Sequence, residues 1–346
     1  MRRTIADARS EWSPAGVYLN TASFGLPPRA GWDALQSALG DWHTGSSSWE
    51  GWGNETQHAR EVWARIVGVP ASWVATGSVV SAMVGIIAAA LPDDARVIAP
   101  DIEFTSNLWP FAAQGRGITV TTVPAARLAE AIDADTDVVA FSAAHSASGE
   151  VADLDAVATA AEHHGALTVC DATQAIGWLP VDASRFDVVT CSAYKWLMSP
   201  RGSAFMSVRP ALLDRLLPQA AGWFAGADIH SSYYGMPMRL ADDARRLDIS
   251  PAWFSWVGTT PALELIEEIG VEAIHAHDVA LANRLRAGLG LEPSNSAIVS
   301  AAVPDAAQRL AGTDVQAATR AGALRASFHL YNTEADVDRV LELLAA

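Results

Sequence analysis

Cysteine and positive charge are both scarce in this chain, and each shortage closes off a class of function. Only two cysteines occur in 346 residues, Cys170 and Cys191. Two thiols cannot staple a disulfide framework, and their spacing suits no metal ion, so no metal is expected. Charged residues make up 18%, and Asp plus Glu outnumber Lys plus Arg by 39 to 23, a formal net charge of −16. A nucleic-acid partner needs a cationic face to displace counterions from phosphate, and no Lys/Arg cluster supplies one. Long apolar runs are missing too. The longest, Val79 to Leu91, is interrupted by Ser81 and Gly85 and is too short to span a bilayer. The stretch Met1 to Ser13 is charged and lacks the apolar centre of a signal peptide. A reduced, cytoplasmic protein with no membrane or nucleic-acid partner is the resulting expectation. No internal repeat or low-complexity segment is visible.

What the chain does have is apolar material: half its residues are hydrophobic, enough for a large core and a second, smaller domain. Val17-Tyr18-Leu19 reads as a short strand. Tandem Pro27-Pro28 suits the start of a helix running toward Trp42. A Gly/Ser-rich loop, Thr44 to Asn54, precedes a helix from Glu55 to Val67, and Gly77 to Leu91 reads as an apolar helix. Strands then follow at Arg96–Ala99, Ile118–Val123, Asp137–Ser142, Ala166–Cys170, Phe186–Cys191 and Ser203–Val208, with helices between most of them. Short apolar strands alternating with helices predict a mostly parallel sheet covered on both faces. Gly222 to Gly258 reads as irregular and Pro261 to Leu289 as one helix bent near Gly270. Short strands around Ile298 and Leu324 precede a last helix, Glu334 to Leu344, capped by Thr333 with Asp336 three residues on.

The chemistry concentrates at two strand ends. Val169-Cys170-Asp171-Ala172-Thr173-Gln174 and Thr190-Cys191-Ser192-Ala193-Tyr194-Lys195 each run from apolar to polar at the carboxyl end, where open α/β sheets bind ligands. An acid and a lysine delivered there can bracket a pyridoxal phosphate ring. The acid keeps the pyridine nitrogen protonated, so the ring accepts electrons. The lysine forms an imine and, once displaced by substrate, is a base at the α-carbon. The plainer alternative makes Asp171 a helix cap and Lys195 a surface residue. The pairing of the two, with Gln174 and Ser192 beside them, favours the cofactor.

The order Asp171-Ala-Thr-Gln174, Ser192-Ala-Tyr-Lys195 and Pro200-Arg201-Gly202 resembles the fold-type I pyridoxal-phosphate enzymes of aminotransferase class V. Within that class it is similar to the group holding cysteine desulfurases and isopenicillin N epimerase, over Tyr18 to Leu344. The resemblance implies a large cofactor-binding domain, residues 15–255, with a mostly parallel seven-stranded sheet between helices. Residues 1–14 and 256–346 would form a small α+β domain. It implies that Lys195 carries the cofactor as a Schiff base, that Asp171 pairs with the ring nitrogen and that Gln174 donates to the phenolic oxygen. Thr76-Gly77-Ser78-Val79 matches the phosphate-binding turn, and a helix N-terminus favours an anion there. Ser192 and Tyr194 match further phosphate contacts, and Phe104 matches the ring that stacks on the cofactor. In Leu324-Arg325-Ala326-Ser327-Phe328-His329-Leu330-Tyr331-Asn332-Thr333 the arginine matches the one that grips the substrate carboxylate. Gly258-Thr259 matches a site that reaches the phosphate of a neighbouring subunit, implying a homodimer with shared active sites.

The chain also departs from those relatives. Desulfurases carry a cysteine nucleophile shortly before the carboxylate-binding arginine, and Gln316 to Leu324 contains none. Cys170 and Cys191 sit inside strands and read as buried thiols. In Ala144-His145-Ser146-Ala147-Ser148-Gly149, His145 or Ser146 stands where relatives place an asparagine near the substrate; His145 is equally able to be a loop cap. Thirteen tryptophans, with Trp42, Trp49 and Trp52 in one region and Trp223, Trp253 and Trp256 in another, suit packing, an interface or an aromatic-lined pocket. The resulting expectation is a class V aminotransferase acting on a small amino acid through an external aldimine. The alternatives are β-elimination or Cα–Cβ lyase chemistry and, behind them, epimerisation, for which no second proton donor is visible. A nicotinamide dehydrogenase is disfavoured because no strand runs into Gly-x-Gly-x-x-Gly. A non-catalytic scaffold is disfavoured because lysine and aspartate are both retained.

Overall fold

The computed structural model describes residues 3–345. Met1, Arg2 and Ala346, the outer ends of the expected small domain, lie outside the described residues. After β1 (Val17–Tyr18), a seven-stranded sheet is built from β2 (Val74–Gly77), β3 (Arg96–Pro100), β4 (Thr119–Val123), β5 (Val138–Ser142), β6 (Leu167–Asp171), β7 (Val188–Ser192) and β8 (Ala204–Val208). The spatial order is β2-β8-β7-β6-β5-β3-β4, and β8 alone runs against the rest. Four further strands follow, β9 (Ile298–Ala301), β10 (Val315–Gln316), β11 (Ala318–Arg320) and β12 (Ala323–Ser327). β11, β12 and β9 make an antiparallel sheet, and β10 pairs in parallel with β1.

The central strands are buried along almost their whole length. That burial is what near-continuous Val/Ala/Phe runs require, because helices cover both faces of a parallel sheet. Alternate residues feed two separate apolar layers. Val138, Ala140, Val169 and Val188 face one layer, and Val139, Phe141, Cys170 and Val189 face the other. Among the described residues, no helix is long and apolar enough to cross a membrane.

Seven strands were expected and seven form, with one exchange. Val17–Tyr18 leaves the large sheet for the carboxy-terminal region, and its place is taken by Val74–Gly77. Gly77 therefore ends a strand rather than opening a helix, and the apolar helix starts at Val80. Antiparallel pairing to β8 holds Val74 to Gly77 extended, overriding the helical periodicity beyond it. The segment expected as loop up to Asn54 is helical from Trp49, giving one helix Trp49–Ile66. Trp49 stacks on Trp253 and meets Trp223 edge-on, and this packing draws the Gly/Ser-rich stretch into helix. The same contacts start the next helix at Trp253, inside the segment expected to be irregular. The single bent helix is two, Trp253–Ile269 and Val271–Gly288, because Gly270 at φ 91° takes a conformation that only glycine adopts cheaply. The expected 255/256 domain boundary falls within the first of them. Asp336 and Thr333 cap the last helix reciprocally, as the sequence pattern predicts.

A buried ion pair ties these parts together. Arg60 on helix Trp49–Ile66 meets Asp248 at 2.6 Å, and Asp248 also accepts the backbone N–H of Thr76 at 2.7 Å. Both side chains are buried, so removing one strands the other's charge in a poorly solvated site. Arg60→Met is expected to cost about 3–5 kcal/mol of stability. Urea unfolding measures this, and a loss within about 1 kcal/mol, the range of an exposed pair, would refute the assignment.

Candidate active site

Three adjacent parallel strands end in polar residues at one edge: Ser142 on β5, Asp171 on β6 and Ser192 on β7. Asp171 is buried, and burial pushes its carboxyl above the usual range, opposed by the bond from Thr173 N–H at 2.9 Å and by the Lys195 charge. Thr173 Oγ1 in turn accepts Ser192 N–H at 3.0 Å, tying the two strand ends together. Beside Asp171, Ser142 donates its backbone N–H at 2.6 Å, and its hydroxyl, to Glu103. Glu103, also buried, is pushed up to about 7 by burial, and the Asp171 charge adds to the rise. From sequence, Glu103 had been assigned no role. Its place three residues after β3, at the same sheet edge as Asp171, was the available signal.

Lys195 lies three residues beyond β7 and is the only lysine in the chain. Its Nζ sits 5.6 Å from the Phe104 ring centre and 5.7 Å from that of Tyr194. Burial, opposed by the Asp171 charge and helped by the Arg325 and Arg201 charges, lowers its pKa from 10.5 to about 8. A larger neutral fraction at neutral pH makes this amine a better nucleophile toward a carbonyl than an exposed lysine.

The loop carrying Lys195 is pinned from several directions. Gly25 N–H donates to Tyr194 O at 2.9 Å, and a Cβ at Gly25 would lie 2.1 Å from Lys195 O, so only glycine fits. Met198 N–H donates to Lys195 O at 3.0 Å, and Met198 itself holds φ 51°. His329 Nε2 donates to Trp196 O at 2.9 Å, since a carbonyl only accepts. Its Nδ1 lies 3.1 Å from Asp278 Oδ2, so the fully buried His329–Asp278 pair must share a further proton. Neither residue had been assigned a role from sequence, because helix Val271–Gly288 and the tail after β12 meet only in the fold.

Opposite the lysine, Arg325 on β12 is buried, and burial together with the Arg320 charge lowers its pKa from 12.5 to about 10. It donates to Ser146 O at 2.7 Å, Ser146 Oγ at 3.3 Å and Ser23 Oγ at 2.8 Å. Ser146 Oγ also receives Gln174 Nε2 at 3.1 Å. Gln174 is fixed further by Ala22 O at 3.0 Å and by Trp196 Nε1, which donates to its Oε1 at 2.8 Å. Ser146 thus stands among the site residues. His145 turns into the protein, buried, with Nδ1 unpartnered, and burial lowers its pKa.

The remaining candidates divide. Val79 caps the ten-residue helix Val80–Ala89 without any side-chain hydrogen bond, so the helix's first N–H groups are free to meet an anion beside Ser78. Thr259 is fully buried, donating to Ser255 O at 2.7 Å and lying 2.8 Å from Ser203 Oγ, so within this chain its hydroxyl is already engaged. The tryptophans Trp49, Trp52, Trp223 and Trp253 pack on one another and on Phe254. Both cysteines are buried, and burial raises both thiols.

The family model described as Aminotransferase class-V matches residues 53–313. The chain belongs to that family. It is 27% identical to an isopenicillin N epimerase of Streptomyces clavuligerus, over 99% of this chain and 97% of that protein. It is 26% identical to an uncharacterized aminotransferase of Bacillus subtilis, over 87% and 86%. The fold is similar to that of the cysteine desulfurase CsdA from Escherichia coli, with TM-score 0.83, 20% identity and coverage of 99% and 98%. It is also similar to that of the cystine C-S lyase C-DES, with TM-score 0.85, 21% identity and coverage of 95% and 97%. This class V protein is an enzyme whose cofactor is pyridoxal 5'-phosphate. The site fits that group: a partly desolvated lone lysine, a buried carboxylate at the next strand end, an uncapped helix N-terminus and a half-exposed Phe104 ring.

Two pH experiments follow from these surroundings. Uptake of pyridoxal phosphate by the apoprotein, followed by absorbance, is expected to accelerate with rising pH about a midpoint near 8. A midpoint at the ordinary lysine value would contradict the burial argument. Folding raises the Glu103 pKa from 4.5 to about 7, so its contribution to stability is present below the lower value and lost as pH rises through the upper. The melting temperature of wild type relative to Glu103→Gln should therefore fall across that window. A flat difference would mean that the carboxyl stays ionised.

Proposed function

We propose that this class V enzyme transaminates a small amino acid, with Lys195 as the covalent anchor and the base, Asp171 beneath the pyridine nitrogen and Arg325 on the substrate α-carboxylate. The single observation carrying the reading is the convergence of the chain's only lysine with a buried carboxylate and a buried guanidinium that has no carboxylate partner among the described residues. Bound pyridoxal phosphate supplies an electron sink for the charge left when the α-proton departs. The chain's residues do the rest. Asp171, held out of water, keeps a proton on the ring nitrogen. Arg325 fixes the carboxylate through its planar fork, so the α-hydrogen faces the lysine. Lys195, desolvated and depressed toward neutral pH, would take that proton and, for transamination, deliver it two bonds away, across the nitrogen, rather than return it to the α-carbon. The helix starting at Val80 holds the phosphate together with Ser78, Ser192 and Tyr194. Phe104 would cover a ring face, and Gln174 would donate to the phenolic oxygen.

Phe104 carries no proton to give, which weighs against epimerisation. The buried thiols of Cys170 and Cys191 weigh against a persulfide-forming desulfurase. A homodimer with Thr259 near the partner's cofactor belongs to the same reading. An apolar groove beside the lysine loop, lined by Phe24, Trp32, Leu35, Tyr194 and Pro200, supports it as a surface for a second copy. The reading also keeps residues 15–255 as the cofactor-binding domain and places the protein in the cytoplasm, where free thiols stay reduced.

Borohydride reduction of the holoenzyme should fix the cofactor to the Lys195 peptide alone, and Lys195→Ala should lose the near-visible absorption band. Label elsewhere, or no uptake by wild type, overturns the assignment. Turnover of Lys195→Ala is expected to fall by about 10²–10⁴-fold. Arg325→Ala should raise KM by about 10- to 100-fold, the worth of a charge-assisted hydrogen bond. With a panel of amino acids, conversion to the pyridoxamine form without release of pyruvate or ammonia is the expected signature. Pyruvate and ammonia from a β-substituted amino acid would replace transamination with β-elimination.

A further inference from the structure

Arg320 ends β11 and is joined to β12 by Ala321 and Gly322, whose φ angles are 47° and 80°. Two consecutive left-handed residues make the tight turn whose twist matches a strand pair, although alanine adopts that conformation at a cost. The register pairs Arg320 with Ala323 and Ala318 with Arg325. Side chains alternate along a strand, so Arg320, Ala323 and Arg325 share one face of the hairpin. Both guanidiniums on that face converge on a single hydroxyl. Arg325 Nη2 donates to Ser23 Oγ at 2.8 Å and Arg320 Nη2 at 3.4 Å. Ser23 donates its own hydrogen to Asn20 Oδ1 at 2.7 Å. The hydroxyl has therefore spent its hydrogen and both lone pairs, and it carries no charge to offset two cations.

Neither guanidinium forms an ion pair among the described residues. That is notable in a chain where acidic side chains outnumber basic ones by 39 to 23 and where Arg60, Arg65, Arg245 and Arg284 all find carboxylates. Arg325 Nε is buried with no hydrogen-bond partner at all. Burial and the charge of Arg320 both act against the Arg325 cation, which is the reverse of what an arrangement selected for stability alone would do. An anion between the two side chains would remove the repulsion. The inner arginine is buried and the outer one exposed, so the pair runs from the site toward its mouth.

We propose that Arg320 binds a second acidic group on the substrate, so that the substrate class is amino acids with a side-chain carboxylate, Arg325 holding the α-carboxylate and Arg320 the distal one. The inference rests on the assignment of the α-carboxylate to Arg325. Two forked guanidiniums on one strand face suit two planar carboxylates separated by a short carbon chain. Arg320 Nη1 also donates to Thr319 O at 3.0 Å, which fixes the outer guanidinium relative to the hairpin.

The test is calorimetric titration of the holoenzyme with malonate, succinate and glutarate, and with propionate and butyrate as single-carboxylate ligands. The readout is the ratio of the best dicarboxylate affinity to that of propionate. Wild type should show a ratio of tenfold or more, with a preferred chain length. Arg320→Ala should bring the ratio close to one, and Arg320→Lys, which keeps the charge without the fork, should give an intermediate value. Circular dichroism and melting temperature check that each variant is folded, as expected for an exposed side chain. A wild-type ratio near one overturns the proposal. So does a ratio unchanged in Arg320→Ala, including the case where all ligands weaken equally and Arg320 serves only the first carboxylate. If Arg325→Ala leaves propionate binding intact, the α-carboxylate assignment itself falls, and that result is distinct from any effect at Arg320.

Discussion

Holding one amine out of water at the edge of a parallel sheet requires that everything around it be fixed in advance. A buried lysine is costly when charged and mobile when its loop is loose. The loop after β7 is therefore clamped by backbone bonds to Gly25, Ala193 and Lys195 itself and by the His329 ring on Trp196 O. Burial then does the chemical work by lowering the proton affinity of the amine. The buried carboxyl of Asp171 moves in the opposite direction for the same reason, away from the charge it would carry in water. Two groups with opposite shifts at neighbouring strand ends give acid–base chemistry its asymmetry.

The architecture explains why these residues meet. Parallel strands all present their carboxyl ends at one edge, so Ser142, Asp171 and Ser192 line up although they lie far apart in the chain. The small carboxy-terminal sheet faces that edge with β12, and Arg325 bridges the gap through Ser23 and Ser146, which belong to two separate loops. The large sheet supplies Asp171, Ser192 and the loop of Lys195, and the small one supplies Arg325 and Arg320.

Stability and function are linked through the less conspicuous pair Arg60–Asp248. It fastens helix Trp49–Ile66 to β2, and β2 leads directly into the uncapped helix N-terminus at Val79. The aromatic cluster of Trp49, Trp223 and Trp253 secures the same helix at its other end. Neither feature touches the lysine, yet the ion pair holds Thr76 and so fixes the turn at Ser78 and Val79 that follows β2.

Periodicity and strand-end polarity made much of the sheet legible, together with Lys195 and Asp171, because those signals are local. Buried parallel strands read as apolar runs, and a polar residue at the end of such a run is visible without any partner. The elements that escaped this reading were decided by partners far away in the chain. Val74–Gly77 is a strand because β8 pairs with it, and Trp49 is helical because Trp253 waits for it. The roles of Glu103, Asp278 and Arg320 were equally hidden, since each depends on a neighbour reached only through the fold: Ser142, His329 and Ser23. The sequence by itself determined the sheet class, the single amine and the acid beside it, which follow from residue type and spacing. Tertiary structure alone decided the depth of burial, and with it the shifts of Lys195, Asp171 and Glu103, and the convergence of two arginines on one serine. Desolvation and hydrogen-bond geometry are properties of the surroundings, and the chain acquires surroundings only when it folds.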